Sequence, residues 1–480
     1  MTPVLLWFRR DLRLFDNPAL AAALSDAVSG RGLLPVFILD PGPEVRPPGA
    51  ASLWWLNHSL AALAADLEAR GSRLILRQGD PAVVLPALAA ETGARIVHWN
   101  DLFDPGLAAR DERLAARLEA EGMKVGRWNG GHLLRPDQVR TRTGGAFGVF
   151  TPFWRAARPQ ISPPARTEAP GTLPAPEAWP ASESLRSWGL HPTAPDWSKG
   201  FSDWSPGEAG ARTRLGAFLS GGLAGYGRAR DFPAEPGASR LSAHLHFGEI
   251  SPFALWRGAL TAVERGAAPE ADAEKFLAEL GWREFNAQIS ARDTDLAKSS
   301  FDPRFEAFQW AQDDSGLAAW RQGLTGYPIV DAGMRELWTT GWMHNRVRMI
   351  CASFLAKHLL VDWRQGEAWF WDTLVDADHA SNAGNWQWVA GCGADAAPYF
   401  RIFSPMAQGT RFDTDGRYVR RWVPEIARLP DKWLHAPWTA PPMVLEASGL
   451  RLGRDYPAPI VDHEFARARA LEAYARLRGR

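Results

Sequence analysis

Five short apolar runs, separated by stretches rich in alanine and leucine, leave the first 130 residues of this chain few ways to fold. Val4–Phe8, Leu33–Leu39, Arg73–Leu76, Ala94–Trp99 and Lys124–Trp128 read as buried strands. Ser52–Arg70 and Pro105–Glu121 read as helices between them, the second opened by Asp104-Pro105 as N-cap and N1. Strands alternating with helices imply a parallel sheet with right-handed crossovers. The first strand is not followed by a glycine-rich dinucleotide fingerprint, which argues against an NAD-type site.

The pattern then breaks. Pro152, Pro159, Pro163, Pro164, Pro170, Pro174, Pro176 and Pro180 exclude long regular elements, so residues 131–205 read as a connector packed between two domains. Beyond Gly207 apolar residues recur at three and four, as in Arg214-Leu215-Phe218-Leu219, Phe276-Leu277-Leu280 and Met334-Leu337-Trp338. The charged segment Phe465–Arg480 reads as a closing helix. The expected fold class is α/β plus all-α. A Rossmann-like parallel-sheet domain spans 1–130, a connector 131–205 and an all-helical domain 206–480.

A hydrophobic fraction of 46% and a charged fraction of 22% are those of a globular protein. No run of eighteen apolar residues exists, so no membrane span is expected, and no signal-type segment opens the chain. Cys351 and Cys392 give neither a disulfide framework nor metal-cluster spacing; a cytoplasmic setting without a metal cluster is the expectation. Lys and Arg (54) balance Asp and Glu (54), which weighs against a globally basic nucleic-acid binder but leaves room for a local basic face. The 24 tryptophans suit a packed core, and equally a stacking platform or an electron path.

The segment from Asp376 to Phe403 gathers acids, amides, indoles and glycines with no clean period. Burying such groups costs about 2–7 kcal/mol each unless they meet partners. It is either a hydrogen-bonded loop between helices or the wall of a polar ligand site. Its runs Asn-Ala-Gly-Asn-Trp-Gln-Trp and Asp-Ala-Ala-Pro-Tyr-Phe-Arg-Ile-Phe closely resemble the flavin-binding core of the photolyase/cryptochrome family, nearest to repair enzymes for cyclobutane pyrimidine dimers. The resemblance runs from Trp7-Phe8-Arg9-Arg10-Asp11-Leu12-Arg13 to Trp422-Val423-Pro424-Glu425, with the motifs in one order.

It implies an N-terminal antenna domain and a helical FAD-binding catalytic domain. Gly237-Ala238-Ser239-Arg240-Leu241-Ser242 reads by itself as a helix start capped by Ser239. By resemblance, Ala238, Ser239, Leu241 and Ser242, with Tyr226 upstream, hold the FAD diphosphate. Glu279, Trp282 and Arg283 share one face of a predicted helix, which suits an ion pair beside a core indole. The resemblance instead sets Glu279 and Trp282 against the damaged bases, Glu279 as a hydrogen-bond donor with a raised pKa, and Arg283 against the flavin. Asn345, Arg348 and Met349 also share a helical face; relatives that repair (6-4) photoproducts carry histidines where Asn345 and Met349 stand. Their absence favours plain ring opening, with Asn345 and Arg348 also cofactor contacts.

Asp376 and Asp378 match flavin contacts, and Asn382 the group near flavin N5, where plant cryptochromes usually carry an acid. Singly, Trp310, Trp363 and Trp386 are best read as core; matched in order they resemble a chain carrying electrons from flavin to surface. Trp388 matches a second stacking wall for the flipped dimer, and aromatic stacking contributes about 1–3 kcal/mol per base. Arg346 and Arg401 match DNA contacts, with Arg411, Arg417, Arg420 and Arg421 as further basic candidates; Ser404 replaces the usual asparagine. A strand end carrying Asn100 and Asp101 is the expected antenna site. Methenyltetrahydrofolate is the expected chromophore, with a deazaflavin or none as alternatives. The activity so implied is light-driven repair of UV-damaged DNA by a monomer. The rivals are a blue-light photoreceptor of the cryptochrome type and a redox flavoprotein that does not repair DNA.

Overall fold

The computed structural model describes residues 2–27, 30–292, 295–396 and 400–478. The chain divides into two compact units. The first comprises Met1–Ser198, Ser202–Ala224 and Ser239–Thr294, and the second Lys199–Phe201, Gly225–Ala238 and Asp295–Arg480. The sheet-bearing unit therefore reaches much further along the sequence than the expected boundary near residue 130.

In the first unit the strands are β1 (Val4–Phe8), β2 (Leu33–Leu39), β3 (Ile75–Gln78), β4 (Ile96–Asn100) and β5 (Lys124–Trp128). They form a parallel sheet in the order β3-β2-β1-β4-β5. Three of the five match the expected strands, and β4 begins two residues after Ala94. The third lies further along than Arg73–Leu76, because its pairing with β2 begins at Val36 with Ile75 and ends at Leu39 with Gln78. Helices Pro18–Ala27, Ala50–Glu68, Pro81–Thr92 and Pro105–Ala120 link or flank the strands. Asp104 holds the N-cap position, but its carboxylate accepts from Arg10 Nη1 at 2.8 Å and makes no cap bond.

The motif after β1 is structural. Arg13, 1% exposed, donates to the carbonyls of Phe15, Asp16, Gly130 and Gly248, and so ties the first loop to two distant segments. Arg9 pairs with the buried Asp111.

The proline-rich connector contains a regular element after all. Phe150–Ala157 is helical, with Pro152 in the first turn, where a missing N–H costs nothing. That helix packs on the 21-residue helix Glu270–Ser290, which carries Glu279, Trp282 and Arg283.

The second unit is built from helices around a core that includes the buried Trp320, Trp363 and Trp386. Its site-bearing helices are Asn345–Ser353, Trp363–Thr373 and His379–Ala390. A Cβ at Gly366 would lie 2.2 Å from the Trp386 ring, so glycine is what lets the last two pack together there. The closing helix runs His463–Arg478. Among the described residues no helix is long and apolar enough to cross a membrane, and no group of three His, Cys, Asp or Glu is placed to hold a metal ion.

Candidate active site

In the second unit the sequence candidates converge on the helix Asn345–Ser353. Its N-cap is His344, whose imidazole Nδ1 accepts from Arg346 N–H at 3.2 Å. Burial pushes the His344 pKa down to about 4, outweighing the nearby Asp231, so the ring stays neutral and keeps its acceptor. Arg348, one turn in, donates through Nε to the Met343 carbonyl at 2.8 Å and through Nη2 to Asp376 Oδ2 at 2.8 Å. Asp376 is buried, so the pair stands largely out of water and is firmly held. Asn345 is exposed and Met349 half-buried.

Asp378 begins the next helix. It is the N-cap of His379–Ala390, accepting from Ser381 N–H at 2.8 Å, a duty that sequence reasoning did not assign to it. One turn on, Asn382 is 9% exposed. Its Nδ2 donates to the Glu367 carbonyl at 3.0 Å and to Glu367 Oε1 at 2.8 Å. Both amide protons are thereby spent, and among the described residues Oδ1 is left as the open acceptor. This arrangement fits a flavin. A group that must receive a hydrogen bond from a ring N–H is held with its oxygen available and its nitrogen anchored. Glu367, 1% exposed, does the anchoring; nothing in its sequence neighbourhood marked it.

Gln387, within the same motif, is also a clamp. Its Nε2 donates to the carbonyls of Leu296 and Ser299, and its Oε1 accepts from Phe301 N–H. Trp388 donates from Nε1 to the Asp395 carbonyl at 3.0 Å and is half-buried, leaving part of the indole for stacking. Ala397, Pro398 and Tyr399 of the quoted run lie outside the described residues.

Trp386 and Trp363 are 3% and 0% exposed, and Trp310 is half-buried. No ring contact joins these three among the described residues. Trp386 instead meets Trp320 edge-on at 6.1 Å and Phe370 at 5.0 Å, while Trp310 lies 4.4 Å from Phe308. Among the described residues the indole N–H groups of Trp363 and Trp386 have no hydrogen-bond partner. Neither indole therefore has a base at hand to take its proton.

The expected basic face is less open than the sequence implied. Arg346 donates to Asp231 at 2.7 Å and lies over the Phe412 ring at 4.4 Å, so its charge is already countered. Arg420 is a structural clamp on the carbonyls of Ala427, Asp415 and Leu429, and Arg417 pairs with Asp415. Arg401 is exposed, and its carbonyl accepts from the buried Lys357. Arg411 and Arg421 lie over the rings of their neighbours Phe412 and Trp422. Ser404 is an N-cap, accepting from Ala407 N–H at 3.4 Å. Tyr226 is buried behind Gly225, and Gly237 is required because a Cβ would meet the Ala229 backbone at 2.6 Å; Ala238 follows it, half-buried.

The first unit holds the other candidates. Ser239 is not a helix cap: the helix begins at Ser242, and its N-cap, Leu241, supplies no side-chain bond. Trp282 stacks on Phe150 with centroids 3.8 Å apart and planes 7° from parallel. One face of the indole is therefore covered, and only the other can meet a base. Arg283 Nη1 donates to the Gly131 carbonyl at 2.7 Å, and Glu279 is half-buried on the same helix. Beside Arg283, Glu284 is buried. Burial raises its pKa, but His132, Arg283 and the Leu134 N–H together outweigh that and hold it below the usual carboxylate value.

The two expected antenna residues are spent on the fold. Asn100 donates from Nδ2 to Asp11 and Asn17, and Asp101 pairs with Arg127 and Arg135. At 3% and 4% exposure neither presents a surface to a chromophore.

Residues 4–175 match the family described as DNA photolyase, and residues 276–476 match the FAD binding domain of DNA photolyase. A deoxyribodipyrimidine photo-lyase of Agrobacterium fabrum is 51% identical over 98% of this chain and 98% of its own length. Cryptochrome-1 of Arabidopsis thaliana is 39% identical over 98% of this chain and 70% of its own length. The crystal structure of a bacterial class III photolyase from Agrobacterium tumefaciens matches with a TM-score of 0.96 at 50% identity, covering 100% of this chain and 98% of that one.

Proposed function

This chain belongs to the DNA photolyase family and is a light-driven DNA-repair enzyme, a deoxyribodipyrimidine photo-lyase, and we propose that it opens the cyclobutane ring of pyrimidine dimers with FAD held by the residues described above. The N-terminal sheet region, 1–130, serves as the antenna domain and the helical region from 206 onward as the catalytic one. The similarity to a class III photolyase supports that subclass.

When bound, FAD supplies the light-excited electron donor for ring opening. The chain's part is to bind, orient and keep water away. Arg348 and Asp376 hold each other through a 2.8 Å hydrogen bond within the chain, which fixes both side chains toward the proposed cofactor. Asn382 Oδ1 receives a proton-bearing nitrogen while Glu367 prevents the amide from flipping. Tyr226, Ala238, Ser239, Leu241, Ser242, Arg283, Asn345 and Asp378 complete the proposed cofactor set. Glu279, Trp282, Met349 and Trp388 receive the flipped dimer, and Arg401, with Arg346 in a lesser role, meets DNA phosphate. Trp386, Trp363 and Trp310 form the proposed electron path.

The observation that carries repair over signalling is the anchored amide of Asn382, which accepts a hydrogen bond without adding a charge. Asn345 and Met349 carry no group that titrates near neutral pH, which favours cyclobutane dimers over (6-4) photoproducts. The test is illumination of purified holoenzyme with DNA carrying each lesion. Cyclobutane dimers should revert to monomers and (6-4) photoproducts should persist; the opposite pattern would overturn the assignment.

A folate antenna, a monomeric state and a cytoplasmic location belong to the same proposal. The first is checked by the near-ultraviolet absorption of the purified protein and the second by its sedimentation.

A further inference from the structure

The first unit contains a cavity of about 590 Å³, and none of the candidate site residues lines it. The helices Glu208–Ala217 and Pro252–Glu264 contribute nine of its nineteen lining residues, with Phe15 and Arg166 from earlier in the chain. Its size is that of small-molecule sites, about 300–1,000 Å³.

The lining is of two kinds. Leu215, Leu219, Ile250, Ala254 and Ala262 supply apolar surface. The polar groups are mostly spent on the fold. Glu249 accepts from Trp55 Nε1, Gly207 N–H and His244, and Glu208 Oε2 accepts from the Leu14 and Phe15 N–H groups. Arg13 is spent on carbonyls, Arg257 on Asp16, and Arg166 on Glu168 at 3.0 Å. Two cations make no side-chain hydrogen bond with the described residues. Arg212 is exposed, lies over the Phe15 ring at 5.1 Å and pairs only loosely with Glu208, 3.6 Å away. Arg265 is exposed, and its side chain makes no hydrogen bond or ion pair with the described residues.

Two glycines keep the space open, for different reasons. At Gly258 a Cβ would lie 2.7 Å from Leu219 Cδ1, so glycine lets that leucine lie against the helix. At Gly216 a Cβ would meet nothing within 4 Å. Glycine inside a helix costs about 1 kcal/mol relative to alanine, and no close packing requires it here. Its effect is to leave bare backbone, and therefore volume, at the cavity wall.

We propose that this cavity binds a small molecule with an apolar body and one anionic group, the body against Leu215, Leu219 and Ala254 and the anion between Arg212 and Arg265. Buried apolar surface supplies most of the affinity, and the guanidinium pair selects the charge. The site is separate from the proposed flavin and DNA contacts, so occupancy and repair can be read independently.

The experiment is equilibrium dialysis of the FAD-loaded protein against anilinonaphthalene sulfonate and, separately, its uncharged parent phenylnaphthylamine. Wild type should bind one equivalent of the sulfonate saturably and the neutral parent about tenfold more weakly, the share of one charge-assisted contact. Gly216→Phe, whose Cβ meets nothing within 4 Å, should abolish both. The pair Arg212→Gln and Arg265→Gln should weaken the sulfonate about tenfold and leave the parent unchanged. FAD content and dimer repair should stay at wild-type values in all variants, and if Gly216→Phe lost FAD, the arginine variants decide by the same comparison. Absence of saturable binding, binding that survives Gly216→Phe with FAD retained, or equal affinity for the two probes would each overturn the proposal.

Discussion

Replacing Asn382 by aspartate sets two carboxyl groups against each other. In the wild type Asn382 Nδ2 lies 2.8 Å from Glu367 Oε1, with an N–H between them, and the two residues are 9% and 1% exposed. In the variant an oxygen takes the place of that N–H. Even if relaxation separates the groups to ~4 Å, two unit charges at an effective dielectric of ~20 repel by about 4 kcal/mol. That is about three pH units of proton affinity, so the pair keeps one proton at neutral pH. In the unfolded chain both carboxyls ionise near pH ~4. Between about pH 4 and 7 the folded variant therefore holds one proton more than the unfolded chain, and it loses stability steadily as pH rises through that window. Above it the penalty is constant. The assay is urea unfolding of the FAD-loaded protein at pH 5 and pH 8, for wild type and variant. The stability gap should widen by roughly 3 kcal/mol from the lower to the higher pH. It should stop widening in Asn382→Asp/Glu367→Gln, which has a single carboxyl. A gap that is equal at both pH values, or one that widens unchanged in the double variant, would refute the anchoring geometry.

Trp310→Phe and Trp363→Phe should each slow photoreduction of oxidised FAD, followed by its absorption, while repair by pre-reduced enzyme persists; unchanged photoreduction in both would make these indoles core residues only. Arg401→Ala should lower the slope of log binding constant against log salt by about 0.9 on damaged duplex. Arg346→Ala should lower it by less, and Asp231→Asn should tighten binding by freeing Arg346 from its 2.7 Å partner. His344 is buried with its pKa lowered to about 4, so an unfolded histidine protonates first as pH falls below ~6.5. Stability should therefore be lost between about pH 6.5 and 4 by roughly 2–3 kcal/mol, and His344→Gln, measured by urea unfolding, should flatten that slope.

Much of the fold was legible in the chain itself. Apolar runs at strand length, alternating with helical patterns, specify a parallel sheet because the central runs must be buried on both faces, while the edge strand Lys124–Trp128 stays partly exposed. Three of the five strands match, and the fourth begins two residues late. The third does not, since pairing with β2, rather than hydrophobicity, sets where Ile75–Gln78 begins. The helix Phe150–Ala157 was hidden by its prolines, although a proline in the first turn removes no helical bond.

At the site, local pattern identified the residues but not their partners. Helical spacing placed Asn345, Arg348 and Met349 on one face, and Glu279, Trp282 and Arg283 on another. Only tertiary structure decided that Arg346 is countered by Asp231, that Phe150 covers one face of Trp282, and that Asn100 and Asp101 are buried in the fold. It also decided that Glu367 fixes the Asn382 amide. The physical reason is the same in each case. A side chain's type and its position along a helix are properties of the sequence. Its hydrogen-bond partner is set by whichever distant segment packs there, since a buried polar group must find one wherever the fold supplies it.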